Sequence, residues 1–211
     1  WRGMAFAKRK LPLVVGAEAV GEVVATGEGV TRFKPGSKVA MYGALTCGQC
    51  RNCRAGRDNL CEEVAGVMGF HVDGFARDLL NIKDRLCVEI PDGISWTDAA
   101  CAPVTFSTVE HMLFDNAKLE PGETVLVSGA TGNFGSAAVS VALAMGAACV
   151  VAPGRNDRIL ADLVRRLGDR VKPVKLTGNE SDDCESMKRA APGPIDCVFD
   201  IMPPSVSPTV V

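Results

Sequence analysis

No sign of charge dominates this chain of 211 residues: 23 Lys and Arg stand against 25 Asp and Glu, for a formal charge of -2. That balance leaves no basic field to gather phosphates along a nucleic acid or a membrane surface, and neither partner is expected. The one basic run, Lys8-Arg9-Lys10, is short and isolated, as a solvated loop is. Long apolar runs are missing too, since none approaches the roughly 18 residues that a membrane helix needs. The opening WRGMAFAKRK lacks a charged start followed by an apolar stretch and a small-residue cleavage site, so the expected location is cytoplasmic. Repeats and low-complexity tracts are absent. Hydrophobic residues make up 47% of the chain, enough to bury a core in one large or two small domains.

What the chain does have is cysteine, nine in all, an odd number. Without a secretory pattern these read as reduced thiols, four of them committed to a metal, with disulfides the weaker alternative. In TCGQCRNCRAGRDNLC, Cys47, Cys50, Cys53 and Cys61 follow the spacing C-x2-C-x2-C-x7-C. Four thiolates around a tetrahedral zinc ion close the site and leave no position for a substrate. Iron–sulfur ligation also uses four thiolates, but its short C-x2-C-x2-C-x3-C-P run is not reproduced, and uncommitted thiols are a third reading. The expectation is one structural zinc per chain, its excess negative charge softened by Arg51, Arg54, Arg57 and the loop's N–H groups. Such an ion would pin a lobe with too little apolar content to fold by itself.

The first half alternates short Val-rich runs with glycine turns: LPLVV, AVGEVVATGEGV, SKVAMYG, GFARDLLNI and LCVEIPDG. Spacing and β-branched content predict a mostly β domain with irregular loops. From about residue 96 the texture changes, and WTDAACAPVTFSTVEHMLFDNA predicts a helix capped at Thr97 or Asp98 and ending near Lys118. Then ETVLVSG reads as a buried strand, SAAVSVALAMG as a helix and AACVVA as a second strand, a βαβ unit that implies a parallel sheet. RILADLVRRLG and ESMKRAAP continue as helices, and VKPVKL and DCVFDI as strands.

The turn of the βαβ unit reads GATGNFG, with Gly129, Gly132 and Gly135 following a strand and opening a helix, and Asn133 and Phe134 between them. In that context the glycines let backbone approach a dinucleotide pyrophosphate, whose charge the helix N-terminus meets. At the tip of the second strand a carboxylate would accept the ribose hydroxyls of NAD and repel a 2′-phosphate. Here Gly154 occupies that place and Arg155, suited to bidentate phosphate contact, follows it. The reading favours NADP(H) over NAD(H); Asp157 as ribose acceptor is the alternative that would reverse it.

GAEAVGEVVATGEGVTRFKPGSKV, CGQCRNCRAGRDNLC, GFHVDGFARDLL, EPGETVLVSGATGNFG and VALAMGA occur in an order that resembles the zinc-containing alcohol dehydrogenases of the medium-chain dehydrogenase/reductase superfamily. The resemblance implies an α/β fold: a GroES-like β domain over 1–96, then a partial Rossmann doubly wound parallel sheet over 97–211. It also implies hydride transfer between a nicotinamide coenzyme and a small-molecule substrate, a homo-oligomer at full length, and a chain cut short at both ends. Members with a catalytic zinc read Gly-His-Glu where this chain has Gly16-Ala17-Glu18, and their Cys or Asp ligand aligns with Val104. Neither Ala17 nor Val104 binds metal, although a slipped alignment would recruit Cys101.

Loss of the catalytic ion removes the Lewis acid on which alcohol oxidation depends. The expected reaction is therefore reduction of an activated C=C or carbonyl, as in the zinc-free quinone and enoyl reductases of the superfamily, polarised by hydrogen bonds and positioning. Thr108, near the nicotinamide in the family, and His111, as proton donor, are the candidate catalytic residues; Tyr42, Thr105 and Ser107 are further donors, and His71 reads as a turn residue. Two other functions compete: a conventional zinc-dependent alcohol dehydrogenase, and a non-catalytic zinc-binding fragment.

Overall fold

The computed structural model describes residues 11–202. They form two compact units, divided between Val104 and Thr105, so that the division falls inside the helical run that begins at Trp96.

The first unit contains strands β1 (Ala19–Glu22) and β2 (Lys38–Met41), a single helical turn α1 (Arg51–Arg54), β3 (Cys87–Glu89) and helix α2 (Trp96–Cys101). The strands form an antiparallel sheet in the order β1-β2-β3, with Val20 opposite Ala40 and Val39 opposite Glu89. Val39, Met41, Met68, Phe75 and Cys87 make its small core. Two runs expected as strands, 11–15 and 74–82, lie outside the ladder. They meet instead through three main-chain bonds, Gly74 N–H to Val14 O (2.7 Å), Ala76 N–H to Val15 O (2.9 Å) and Phe75 N–H to Gly16 O (3.0 Å). The approach is too close for side chains: a Cβ on Gly74 would lie 2.6 Å from Val15 O and 2.7 Å from the Gly69 Cα. A crossing built on glycine departs from the regular pleat that a strand requires.

Helix α2 is capped by neither Thr97 nor Asp98 but by Ser95, whose Oγ accepts from the Asp98 N–H at 3.1 Å and donates to Asp98 Oδ2 at 2.6 Å. Ser95 thus satisfies a first-turn amide of α2 and is itself held by the Asp98 carboxylate.

Across the division the helical run continues through a π-turn (Ala102–Phe106), helix α3 (Ser107–Glu110) and a second π-turn (His111–Asn116). Lys118, at φ 54°, ends it. Strands and helices then alternate as the sequence predicts: β4 (Thr124–Val127), α4 (Asn133–Ala144), β5 (Cys149–Gly154), α5 (Asp157–Leu167), β6 (Val171–Lys175), α6 (Glu180–Ala190) and β7 (Cys197–Phe199). All four strands are parallel, in the order β6-β5-β4-β7. Pro173 is tolerated because β6 lies at an edge.

The period of two divides the sheet's side chains between two layers. Val125, Val127, Val150 and Ala152 pack with Ala138, Ala142 and Leu143 of α4 and Leu163 of α5. Leu126, Val151 and Val174 pack on the other face with Met187 of α6. Each fully buried Val or Leu contributes about 1.5–3 kcal/mol, and small residues on α4 let it lie close to the sheet. The chain steps outward from β4 to β6 and then returns to β7 on the far side of β4. That reversal makes the carboxyl end of β4 the switch point at which open α/β sheets bind ligands.

One buried acid anchors the loop before α6. Asp183, 4% exposed, accepts from the Thr177 N–H at 2.7 Å, the Thr177 hydroxyl at 2.8 Å and the Gly178 N–H at 3.0 Å. Burial pulls its pKa upward, but the three donors outweigh burial and leave it below the usual carboxylate value. A depressed acid stabilises the fold above its unfolded pKa and loses that contribution as pH falls through the folded value. Asp183→Asn is therefore expected to cost about 2 kcal/mol near neutrality, with the gap to wild type narrowing below about pH 4. Thermal melting of both proteins across that range checks this; a gap independent of pH would overturn it.

Candidate metal centre and cofactor site

The cysteine loop is folded around its own sulfurs. Gly48, at φ 77°, turns the chain between Cys47 and Cys50; Cys50 caps α1, and Cys53 lies within that helical turn. A 3-10 turn over Asp58–Leu60 then brings back Cys61. All four Sγ atoms lie within 4.8 Å of one another, and Cys47 and Cys53 Sγ are 3.9 Å apart. A tetrahedron with metal–sulfur bonds of about 2.3 Å has sulfurs about 3.8 Å apart, so the space fits one ion. Main-chain N–H groups already point at the sulfurs, from Cys47 to Cys61 (3.3 Å), from Gln49 and Cys50 to Cys47 (3.4 and 3.3 Å) and from Cys53 to Cys50 (3.5 Å).

The Cys53 N–H, with that of Glu62, draws the Cys50 thiol down to about 6, whereas removal from water pushes Cys53 up to about 12. Four thiolates at this spacing need a positive ion between them.

Arg51, Arg54 and Arg57 stand exposed on the lobe. The arginine that braces it is Arg85, which donates to Thr46 Oγ1 at 2.9 Å and also to the Thr46 carbonyl. A Cβ on Gly48 would lie 3.0 Å from the Arg85 Nε, so this side chain fills the space against the loop. Sequence reading missed Arg85 because the contact spans 39 positions and no local pattern announces it.

In the second unit β4 delivers the chain into the glycine turn at the switch point. Gly129 takes φ 73°, and its carbonyl accepts from the Gly132 N–H at 2.8 Å. Gly132, in extended conformation, begins α4. A Cβ on Gly135 would lie 2.6 Å from the Gly129 carbonyl carbon and 2.8 Å from the Ala130 Cα, and nearer still to the Gly129 oxygen. Helix and turn are in backbone contact. First-turn amides of a helix, here those of Asn133 and Phe134, have no intrahelical partner, and they mark its positive end. That end suits an anionic pyrophosphate. Phe134 packs against the core, and the Asn133 amide donates to the buried Thr105 Oγ1 at 3.1 Å, tying the turn to the π-helical segment.

At the tip of β5 a Cβ on Gly154 would lie 3.0 Å from Thr131 Oγ1 and closer to its methyl group, so Thr131 of the glycine turn occupies the room a carboxylate would need. Arg155 is exposed. Asp157 is held by Lys175, whose Nζ lies 2.8 Å from Asp157 Oδ2 and donates to the Arg155 carbonyl at 2.7 Å. Lys175 is a second residue that sequence reading missed, because it arrives through the pairing of Gly154 with Lys175 across β5 and β6.

The remaining candidates are placed as follows. Thr108 is exposed on α3, and His111 Nδ1 lies 2.5 Å from Asp115 Oδ2, with the His111 side chain 46% exposed. His71 closes a turn by accepting the Val67 N–H at 3.2 Å. Tyr42 is half-buried, and burial together with the Asp58 carboxylate raises its phenol. Ala17 and Val104 are half-buried and offer no ligand atom. Burial pushes the Cys101 thiol up, and the nearby carboxylates of Glu18 and Asp98 add to the effect. Among the described residues, the group of three or more metal-ligating side chains is the four cysteines.

Residues 1–92 match the family model of the alcohol dehydrogenase GroES-like domain. Over 160 residues the chain is 42% identical to L-threonine 3-dehydrogenase of Pseudoalteromonas atlantica, covering 75% of this chain and 45% of that protein. Over 166 residues it is 36% identical to acryloyl-coenzyme A reductase of Metallosphaera sedula, covering 79% and 49%. The cobalt- and zinc-bound thermostable alcohol dehydrogenase from Pyrobaculum aerophilum superposes with a TM-score of 0.74 at 30% identity, covering 90% of this chain and 53% of that one. The chain spans about half the length of the curated relatives it matches.

Proposed function

Since the chain belongs to the zinc-type alcohol dehydrogenase family of the medium-chain dehydrogenase/reductase superfamily, we propose that it is part of an NADP(H)-dependent oxidoreductase. It works without a catalytic zinc and reduces an activated C=C or carbonyl of a small molecule. The observation that carries the reading is the glycine turn at the β4 switch point, facing a strand tip that has Gly154 and Arg155 in place of an acid. The loss of metal chemistry is inferred from Ala17 and Val104, which stand at the family's ligand positions without a donor atom. The acryloyl-coenzyme A reductase among its relatives is named for a substrate of the proposed class. The four-cysteine lobe is assigned one structural zinc.

Bound at the turn, a reduced nicotinamide would supply the hydride. The residues of this chain then have distinct tasks. The α4 N-terminus and Gly129, Gly132 and Gly135 seat the pyrophosphate, and Arg155 takes the 2′-phosphate. Asn133, fixed on Thr105, orients the turn. Thr108 would contact the bound nicotinamide, and His111, as an imidazolium held at Nδ1 by Asp115, would give its Nε2 proton to complete the reduction. At full length the enzyme is a homo-oligomer.

Titration of NADPH into the protein, followed through Trp96 emission, is expected to saturate, and to do so at lower concentration than NADH. Arg155→Ala should weaken NADPH by roughly 10- to 100-fold, the scale of a lost charge-assisted contact, and leave NADH nearly unchanged. Equal NADPH affinity in the variant would overturn the phosphate assignment. Two metal ions per chain instead of one would restore the conventional zinc alcohol dehydrogenase.

A further inference from the structure

We infer that Lys175 is the positioning residue that sets cofactor choice at the β5 tip. The inference rests on the reading of Arg155 as the 2′-phosphate ligand, and it adds a residue on a different strand. Lys175 ends β6 and pairs in register with Gly154, and the Leu176 N–H donates to the Gly154 carbonyl at 3.0 Å, so the two strand ends are fixed side by side. From there the ammonium makes two contacts at once. It donates to the Arg155 carbonyl at 2.7 Å and meets Asp157 Oδ2 at 2.8 Å.

Each contact has a consequence for a bound nucleotide. The bond to the Arg155 carbonyl holds the main chain from which the guanidinium projects. The ion pair compensates Asp157, the acid nearest the tip on the chain after Gly154 and a group able to favour unphosphorylated ribose. With Lys175 in place the Asp157 charge is paired, and the Arg155 guanidinium is not opposed by it. Without Lys175 the Asp157 carboxylate loses its ion-pair partner, adds to the repulsion of a 2′-phosphate and is released to accept a ribose hydroxyl. As a solvent-exposed ion pair, Lys175–Asp157 adds little to stability, so its effect is expected in ligand choice.

The test compares dissociation constants of NADPH and NADH, measured by titration, for wild type, Arg155→Ala, Lys175→Met, Lys175→Arg and the double variant Lys175→Met/Asp157→Asn. Lys175→Met is expected to lower the preference for NADPH about tenfold, from the repulsion between a carboxylate and a phosphate a few ångströms apart in water. Lys175→Arg should hold the preference, and adding Asp157→Asn to Lys175→Met should recover most of it. A purely structural role for Lys175 would not be rescued by removing Asp157. If wild type prefers NADPH and Arg155→Ala loses that preference while Lys175→Met keeps it, the inference fails and the phosphate assignment stands. If wild type shows no preference and Arg155→Ala changes nothing, the phosphate assignment fails and this inference with it.

Discussion

Alanine at Gly135 is expected to unseat the dinucleotide turn and to lower the stability of the second unit by about 3 kcal/mol or more, the upper range for forced overpacking. The added methyl would lie 2.6 Å from the Gly129 carbonyl carbon and 2.8 Å from the Ala130 Cα. Both are backbone atoms, so no side-chain rotation relieves the clash; either α4 withdraws from the sheet or the turn opens. Withdrawal of α4 would disturb Ala137, Ala138, Val139 and Ala142, which are at most 4% exposed. Opening of the turn would displace the amides that are to meet the pyrophosphate. Neighbouring glycines set a scale for the result. At Gly154 the obstacle is the Thr131 side chain, which has a rotamer to change, and at Gly132 the nearest atom is the Gly129 oxygen at 3.3 Å. The expected order of damage is therefore Gly135, then Gly154, then Gly132, read by melting temperature and by NADPH titration. A Gly135→Ala protein with wild-type melting and wild-type affinity would refute the close packing on which the cofactor site depends.

The features legible in the sequence were those written within a few residues of each other. The β4–turn–α4 unit could be read because buried strand, glycine turn and small-residue helix each carry their own local period. The four cysteines could be read because their spacing is short and metal geometry constrains it. What escaped reading depended on pairings made across the chain. Arg85 reaches Thr46, Lys175 reaches Asp157 through strand register, and the crossing of Gly16, Gly69 and Gly74 turns two apolar runs into loops. Ser95 is a smaller case: the apolar pattern starts at Trp96, and the N-cap is the residue just before it, outside the pattern. Nothing in the sequence marked the two π-turns. One of them carries Thr105, whose partner Asn133 lies 28 positions away.

Exchange of Cys50 for serine is expected to remove the ion from the first unit and to free the lobe, without touching the dinucleotide site of the second. The serine hydroxyl is a poor substitute for thiolate, and the remaining sulfurs cannot complete the tetrahedron. Structural zinc in small motifs contributes on the order of 10 kcal/mol of apparent binding energy, and an ion bound here would supply it as folding energy to a segment with no buried residue in α1. The lobe also supplies its own local probe, since Arg51, Arg54 and Arg57 are exposed and sit on the segment that should loosen. Trypsin should cut there quickly in Cys50→Ser and in chelator-treated wild type, and slowly in the zinc-loaded protein, while Cys184→Ser, outside the cluster, should behave as wild type. Metal analysis should give one ion per chain in wild type and close to none in Cys50→Ser. A Cys50→Ser protein that kept its ion and its resistance to trypsin would end the assignment. The NADPH titration of the same variant then separates a clamp from a catalyst: the cluster belongs to the first unit and the glycine turn to the second, so loss of zinc should loosen the lobe while dinucleotide affinity stays within about twofold of wild type.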